Sequence, residues 1–187
     1  MIIDYTFNAL LNTVNSVRNK SELPLSGVSL IKKYEGLDLV AVVDPLSGNL
    51  PITIGYGATV KADGTPFHLG DRITKKAATE LLMLQLKRDY LPKLKTIPNW
   101  DSLTERQQGA LLSFSYNLGA NFYHDSRFKS MRKMLQNRNY RNAAKVFSLY
   151  RNPGSNCELG LLNRRRTEAY VFTYDLNNPN GTNSNLQ

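Results

Sequence analysis

Ser26-Gly-Val-Ser-Leu-Ile-Lys-Lys-Tyr-Glu35-Gly36 is the stretch around which the chain is organised, and it is followed by Asp44 and then by Thr53-Ile-Gly-Tyr-Gly57. Apolar residues recur along the first segment with the period of a helix, and the glycine at its end is typical of a helix C-cap. The residues that follow are rich in strand-forming types and are broken by turn-forming ones. The pattern predicts a short helix, a chain reversal and a pair of strands.

Glu35 lies on the apolar stripe of the predicted helix. It follows Val28 and Ile31 at helical spacing, so we expect its side chain to point towards a packed interior or a cleft. Partial burial and the negative end of the helix dipole both disfavour the charged form of this carboxyl group. A carboxylic acid that keeps its proton near neutral pH is what general acid catalysis requires. Spacing alone is equally compatible with a solvated glutamate at a frayed helix end.

Two further polar residues stand at the edges of the predicted strands. Asp44 closes an apolar run and precedes a proline, which is typical of a turn-forming aspartate. Thr53 opens a strand with two glycines, where a backbone or a ligand can approach closely, although threonine is also a common strand residue. Together with Glu35 they supply an acid, a carboxylate and a hydroxyl group for one site.

This arrangement resembles the motif of the phage-type lysozymes, a family that includes many bacteriophage endolysins. Its members have a glutamate at a helix end, then an acidic or cysteine residue, then Thr-Ile-Gly-Tyr-Gly, and Glu35, Asp44 and Thr53 match these positions. Gly160-Leu-Leu-Asn-Arg-Arg-Arg166 is a second matching segment. The resemblance implies that Glu35 protonates a glycosidic oxygen while Asp44 and Thr53 position a water molecule.

The resemblance also implies binding and supporting residues. Tyr56, Tyr116 and Asn117 match positions that line a sugar cleft, where aromatic faces and amides suit sugar rings and hydroxyl groups; the alternative for the last two is an ordinary surface role. Arg164, with Arg165 as the second choice, matches an arginine that the family places against the catalytic glutamate. Such a pair would favour the charged form of Glu35 and oppose the effect of burial. No metal or organic cofactor is implied.

The predicted fold is α+β and predominantly α-helical, a lysozyme-like fold of two lobes over residues 26–176. A small antiparallel β-sheet lobe occupies about residues 36–70, and a connecting helix that Pro92 stops occupies about 74–91. A helical lobe follows over about 101–175.

The two ends of the chain are predicted to lie outside this domain. Residues 1–25 carry an amphipathic helical pattern followed by a linker at about 21–25. Residues 177–187 are polar, with proline and glycine, and are predicted to be a disordered tail.

The net charge of +9 is unevenly placed: Ser126 to Arg166 contains eleven basic residues and one acid. Such a lobe attracts polyanions, among them cell walls, nucleic acids and anionic lipids. The sequence has no recognisable nucleic-acid-binding motif, and its aromatic residues do not interleave with the basic run. No apolar run approaches the roughly 20 residues of a membrane helix. The single Cys157 excludes an internal disulfide, and the two separated histidines argue against a zinc site.

These observations favour an endolysin that hydrolyses the β-1,4 bond between N-acetylmuramic acid and N-acetylglucosamine in bacterial peptidoglycan. We expect a monomer with no cofactor, no specific nucleic acid partner and no stable membrane insertion. The sequence shows no secretion signal, so the expected location is the host cytoplasm until a separate permeabilising factor releases the enzyme. The alternatives are an inactive cell-wall or glycan-binding module and a basic nucleic-acid-binding protein, and chitin is the nearest rival substrate.

Overall fold

A computed structural model describes residues 22–44 and 49–178, and only the backbone of Asp44 and Asn49. The elements are α1 (Leu25–Glu35), β1 (Asp38–Asp44), β2 (Asn49–Gly55), α2 (Lys75–Gln85), α3 (Leu91–Leu94), α4 (Glu105–Leu118), α5 (Lys129–Gln136), α6 (Ala143–Ser148) and α7 (Glu158–Asn177). The fold is therefore α+β and mainly α-helical, as predicted. None of the helices in the described ranges has the length and apolarity needed to cross a bilayer. The helix predicted before residue 22 lies outside the described residues. The predicted tail begins at residue 177, but Asn177 still belongs to α7, and residues 179–187 lie outside the described residues.

The segment before α1 is fixed to the protein body. Leu23 is 1% exposed and belongs to the main hydrophobic core, Pro24 is buried, and α1 already begins at Leu25. Full burial of a leucine side chain stabilises a fold by about 1.5–3 kcal/mol. The prediction of a linker reaching Leu25 is wrong, because Leu23 packs in the core and the helix already begins at Leu25.

The two strands form the predicted antiparallel sheet. Val42 lies opposite Thr53 and Val43 opposite Ile52, with register irregularities on either side of these pairs. The sheet packs on α2 through a small apolar cluster separate from the main core: Ala41, Ile54, Ala58, Phe67 and Leu81. The sheet is thus held against the connecting helix.

A tight reversal follows β2. Ile54 and Ala58 exchange two backbone hydrogen bonds of 3.0 and 2.9 Å, and the intervening Gly55 and Gly57 have φ values of +68° and +87°. Side chains with a Cβ atom rarely adopt such angles, which is why glycine stands at both positions. The reversal returns the chain to the end of α1, where a Cβ atom at position 57 would lie 4.0 Å from Glu35 Oε2.

The connecting helix is interrupted but does not stop at Pro92. Thr74 caps α2 by accepting a hydrogen bond of 3.1 Å from the Ala77 amide. The α-helix ends at Gln85, a π-helical turn occupies Leu86–Tyr90, and α3 continues to Leu94. Pro92 stands in the first turn of α3, where a residue without an N–H group is tolerated. The prediction that Pro92 ends the helix is therefore wrong.

Helix α4 is the centre of the main core. Its N-terminus has a capping box, in which the Thr104 hydroxyl accepts from the Gln107 amide and the Gln107 side chain accepts from the Thr104 amide. Further along, the Phe114 ring is met edge-on by four aromatic rings at 5.1–5.8 Å: Phe122, Phe128, Phe147 and Tyr150. These contacts fix α4 and so place the residues near its C-terminal end.

Helices α1 and α4 cross at very close range. A Cβ atom at Gly27 would lie 2.6 Å from the Gly109 carbonyl oxygen, so the two backbones touch. The Ser26 amide also donates to Glu105 Oε1 at 2.8 Å. Because Glu35 ends α1 and Tyr116 lies near the end of α4, this crossing sets the distance between them.

Candidate active site

A cleft of about 410 Å³ opens beside the ends of α1 and α4. Its wall also includes Gly57 and part of the connecting helix with its π-helical turn. Ligand sites in proteins typically enclose about 300–1,000 Å³. The cleft is therefore large enough for one or two sugar rings, and its polar lining suits them.

Glu35 faces this cleft, in agreement with its place on the helical stripe. Its side chain is 23% exposed, and Arg164 Nη1 donates to its Oε1 oxygen at 2.6 Å. Among the described residues no donor bonds to the other oxygen, Oε2, which lies on the Gly57 side. One oxygen is thus held and the other is open to a ligand.

Arg164 is the arginine that reaches Glu35, as the resemblance implied. Its side chain is 3% exposed. Besides Glu35, the guanidinium group donates to Glu168 Oε1 at 3.2 Å and to the Ser113 carbonyl oxygen at 3.2 Å. The Tyr34 ring lies 5.5 Å from its central carbon. All three guanidinium nitrogens are therefore engaged, and Nη1 is the one that bonds Glu35.

Arg165 contacts Glu168 and not Glu35. It is fully buried, with its guanidinium carbon 5.0 Å from the Phe114 ring centroid. Nη2 donates to Glu168 Oε1 at 3.0 Å, and Nε approaches Oε2 at 2.8 Å as an ion contact without the angle of a hydrogen bond. Burial lowers the pKa of Arg165 to about 10, so it remains a cation at neutral pH. Glu168 was not predicted as a site residue, although its i,i+4 spacing from Arg164 was an available signal.

Tyrosine and amide side chains form much of the remaining wall. Tyr116 and Asn117 line the cleft as the resemblance implied, and the Tyr90 ring lies 5.2 Å from the Tyr116 ring. Tyr56 is different: it is 5% exposed, its ring belongs to the core, and its backbone carbonyl accepts a 2.7 Å hydrogen bond from the Tyr116 hydroxyl. Direct contact of the Tyr56 ring with substrate, as predicted, does not agree with this burial; the residue instead fixes Tyr116.

Asp44 and Thr53 are the other two predicted catalytic residues. The structure describes the backbone of Asp44 and the backbone and exposure of Thr53. Asp44 ends β1 opposite Asn49, and its side chain lies outside the described atoms. Thr53 lies in β2 and is half-buried, and it is not among the residues that line the cleft. Their convergence on Glu35 stays a prediction.

The connecting helix contributes cleft residues that the sequence analysis did not identify. Gln85, Asp89 and Tyr90 line the cleft, and Arg88 holds the Asp89 carboxylate through bonds of 2.8 and 3.0 Å. The i,i+4 spacing of Gln85 and Asp89 was a signal, but the π-helical turn between them changes which face they present. Amide, carboxylate and phenol groups suit hydroxyl and acetamido partners. Within the described ranges no three side chains of metal-binding type come together.

The Tyr116 hydroxyl gives a prediction at high pH. Burial and the nearby Glu35 raise the pKa of Tyr116 well above its usual range. The unfolded chain releases this proton near pH 10, so the folded state loses stability as the pH rises above that value. For Tyr116→Phe we expect the free energy of unfolding to fall less steeply between pH 10 and 12, by up to about 1.4 kcal/mol per pH unit. Urea unfolding across this range measures the slope, and parallel curves for variant and wild type would contradict the prediction.

Three comparisons with known proteins complete this picture. A family model described as Phage lysozyme matches residues 32–168. The endolysin of Salmonella phage P22 is 33% identical over 153 residues, which cover 81% of this chain and 97% of that protein. The structure of the endolysin from Escherichia coli O157:H7 phage FAHEc1 has a TM-score of 0.64 and 29% identity, covering 79% of this chain and 90% of that one. The muramidase domain of SpmX from Asticaccaulis excentricus has a TM-score of 0.57 and 28% identity, covering 79% and 94%.

Proposed function

This chain belongs to the phage lysozyme family, and from that premise we propose that it cleaves the β-1,4 bond between N-acetylmuramic acid and N-acetylglucosamine in bacterial peptidoglycan. The family makes it a glycoside hydrolase of the endolysin type that acts on the bacterial cell wall. A relative at 28% identity is a muramidase domain, which supports the choice of bond. The observation that carries the proposal is the Glu35 carboxyl group, held in the cleft by Arg164 with one oxygen open.

In the proposed reaction Glu35 donates its proton to the glycosidic oxygen as the bond to the anomeric carbon breaks. Asp44 and Thr53 hold a water molecule on the opposite face of the sugar, and Asp44 stabilises the positive charge that develops on the ring. The water oxygen bonds to the anomeric carbon, and its proton passes to Asp44. This sequence inverts the configuration at that carbon.

The cleft wall supports this substrate class. Tyr116 and Tyr90 offer aromatic surface, while Asn117 and Gln85 offer amide groups. Sugar rings have apolar faces and hydroxyl edges, and the acetamido groups of both peptidoglycan sugars can exchange hydrogen bonds with amides. We propose that these four residues hold the glycan strand while Glu35 acts on it.

Digestion of purified sacculi tests the bond that is cleaved. Mass spectrometry of the soluble products after borohydride reduction should show intact disaccharide-peptides with reduced N-acetylmuramic acid at the new end. Reduced N-acetylglucosamine at the new end, or an anhydro product, would assign a different reaction. Binding to sacculi without release of products would favour the glycan-binding module, and preferential cleavage of chitin oligomers would change the substrate.

The anomer formed first tests the mechanism. Proton NMR of the products in the first minutes of digestion should show the α anomer accumulating before mutarotation, as inversion of a β bond requires. Early accumulation of the β anomer would instead indicate a covalent intermediate and would remove the water-positioning role proposed for Asp44 and Thr53.

A further inference from the structure

Glu168 is a carboxyl group inside the protein that the proposed reaction does not use. It is 0% exposed and lies on α7 beside the buried apolar residues Ala169, Val171 and Phe172. An ionised carboxylate is costly to bury unless it is paired and hydrogen-bonded, and replacing a buried ion pair with apolar side chains is often neutral or stabilising. Stability alone therefore gives little reason for an acidic side chain at position 168. The contacts of Glu168 extend through Arg164 to Glu35 in the cleft.

Three side chains donate to the same oxygen of Glu168. Ser113 Oγ donates to Oε1 at 2.7 Å, Arg165 Nη2 at 3.0 Å and Arg164 Nε at 3.2 Å. Burial raises the pKa of Glu168, and the guanidinium groups of Arg165 and Arg164 act in the opposite direction. With three donors, two of them cationic, we assign the ionised form.

Arg164 connects this buried carboxylate to the cleft. Its Nε is held by Glu168 and its Nη2 by the Ser113 carbonyl oxygen, so the remaining nitrogen, Nη1, points to Glu35 Oε1. Because the guanidinium group is planar and rigid, two anchors on the buried side fix the direction of the third donor. Glu35 is thus oriented from inside the protein through Arg164.

Glu35, Arg164, Arg165 and Glu168 form a cluster of two acidic and two basic side chains. Arg164 and Arg165 are cations, and Glu168 offsets one of them. Without the negative charge of Glu168, the positive charges of both guanidinium groups would be felt at Glu35. Nearby positive charge favours the ionised form of a carboxyl group. A proton donor must instead be protonated when substrate is bound. The charge of Glu168 therefore bears on the range of pH in which Glu35 can act.

We propose that Glu168 is a positioning residue for the reaction, which directs Arg164 towards Glu35 and, by its charge, keeps Glu35 able to carry a proton at the pH of catalysis. This inference rests on the proposed role of Glu35. Substitution at position 168 leaves the other titratable groups around Glu35 in place. These are Lys32, Lys33 and Tyr34 from α1, Asp89 and Tyr90 from the connecting helix, Tyr116 from α4 and, in the proposed mechanism, Asp44 from β1.

The test is the pH dependence of kcat/KM on solubilised peptidoglycan for wild type and Glu168→Gln. The alkaline limb of this profile reports loss of the proton from the general acid. Glutamine keeps the shape of the side chain but removes its negative charge, so we expect the alkaline limb to move to lower pH by about one unit. Activity on the alkaline side then falls about tenfold.

Two further variants separate charge from structure. Arg165→Gln removes one cation, so its alkaline limb should move to higher pH, opposite to that of Glu168→Gln. Glu168→Gln combined with Arg165→Gln restores the balance, and its profile should return to that of wild type. The matched control is Glu158→Gln, which makes the same change of net charge on the same helix, where Glu158 pairs with Arg151 at 2.8 Å far along α7 from the cluster. Its profile should not move.

The signs of these shifts decide the inference. Near-UV circular dichroism confirms that each variant is folded, and if Glu168→Gln does not fold, the upward shift of Arg165→Gln and the rescued double variant carry the test. A superposable profile for a folded single variant, or a double variant that stays displaced, would overturn the role of Glu168 and leave the hydrolase proposal standing. Absence of hydrolysis by the wild type would overturn both.

Discussion

Glu35→Gln is expected to lower the rate of peptidoglycan hydrolysis by about 10²–10⁴-fold, the range that a general acid contributes. Glutamine has the same shape, and its side-chain oxygen can still accept from Arg164, which bonds Glu35 Oε1 at 2.6 Å. It carries no proton acidic enough to donate to the glycosidic oxygen. The initial rate of turbidity loss in a suspension of purified sacculi, together with the release of new reducing ends, measures this effect.

The control for this substitution is Glu80→Gln. Glu80 lies on the connecting helix with its side chain 65% exposed and a long contact of 3.9 Å to Lys76. Glu80→Gln makes the same change of charge away from the cleft, so the activity of this variant should match that of the wild type. If Glu35→Gln kept wild-type activity while folded, Glu35 would not be the proton donor, and the proposed mechanism would fail.

Gly109→Ala should produce the largest loss of stability among single methyl additions at the described glycines. The new Cβ atom would lie 2.0 Å from Ser26 Oγ and 2.6 Å from the Gly27 nitrogen. The serine hydroxyl can rotate away, but the Gly27 backbone can move only if α1 shifts as a whole. We expect a cost on the order of 3 kcal/mol, near the upper end for overpacking, and a Tm lower by roughly 6–12 °C.

Gly160→Ala is the matched control for this prediction. Gly160 is also helical, and a Cβ atom there would meet no atom within 4 Å. Alanine should leave stability unchanged or raise it by up to about 1 kcal/mol, because it restricts the unfolded chain. Differential scanning calorimetry on both variants measures the contrast. Equal Tm values would show that the two helices are not in contact at Gly109.

If the Gly109→Ala variant folds, its hydrolytic activity should still be lower than that of the wild type. Displacement of α1 moves Glu35 relative to Tyr116 on α4, and an error of about 1 Å in the position of a reacting group can cost about 100-fold in rate. No local pattern in the sequence indicated that the partner of Gly109 is Gly27.

The sequence by itself determined the features that depend on neighbours a few residues apart. Val28, Ile31 and Glu35 share one helical face, and Gly36 ends that helix. Helical period, capping and backbone restriction are local physical effects, so composition and spacing are enough to predict them. The stop predicted at Pro92 failed because the π-helical turn before it places the proline in a new first turn.

Only the tertiary structure decided which distant side chains meet. Glu35 and Arg164 are 129 positions apart, and Ser113 and Glu168 are 55 apart, so their contacts depend on how α1, α4 and α7 pack. The same packing buries Tyr56, which the resemblance placed in the cleft. Burial and long-range charge are properties of the assembled core, because each depends on atoms contributed by several elements at once. The local sequence therefore determined which residues are available for the site, and the packing of the helices determined which of those residues contact one another.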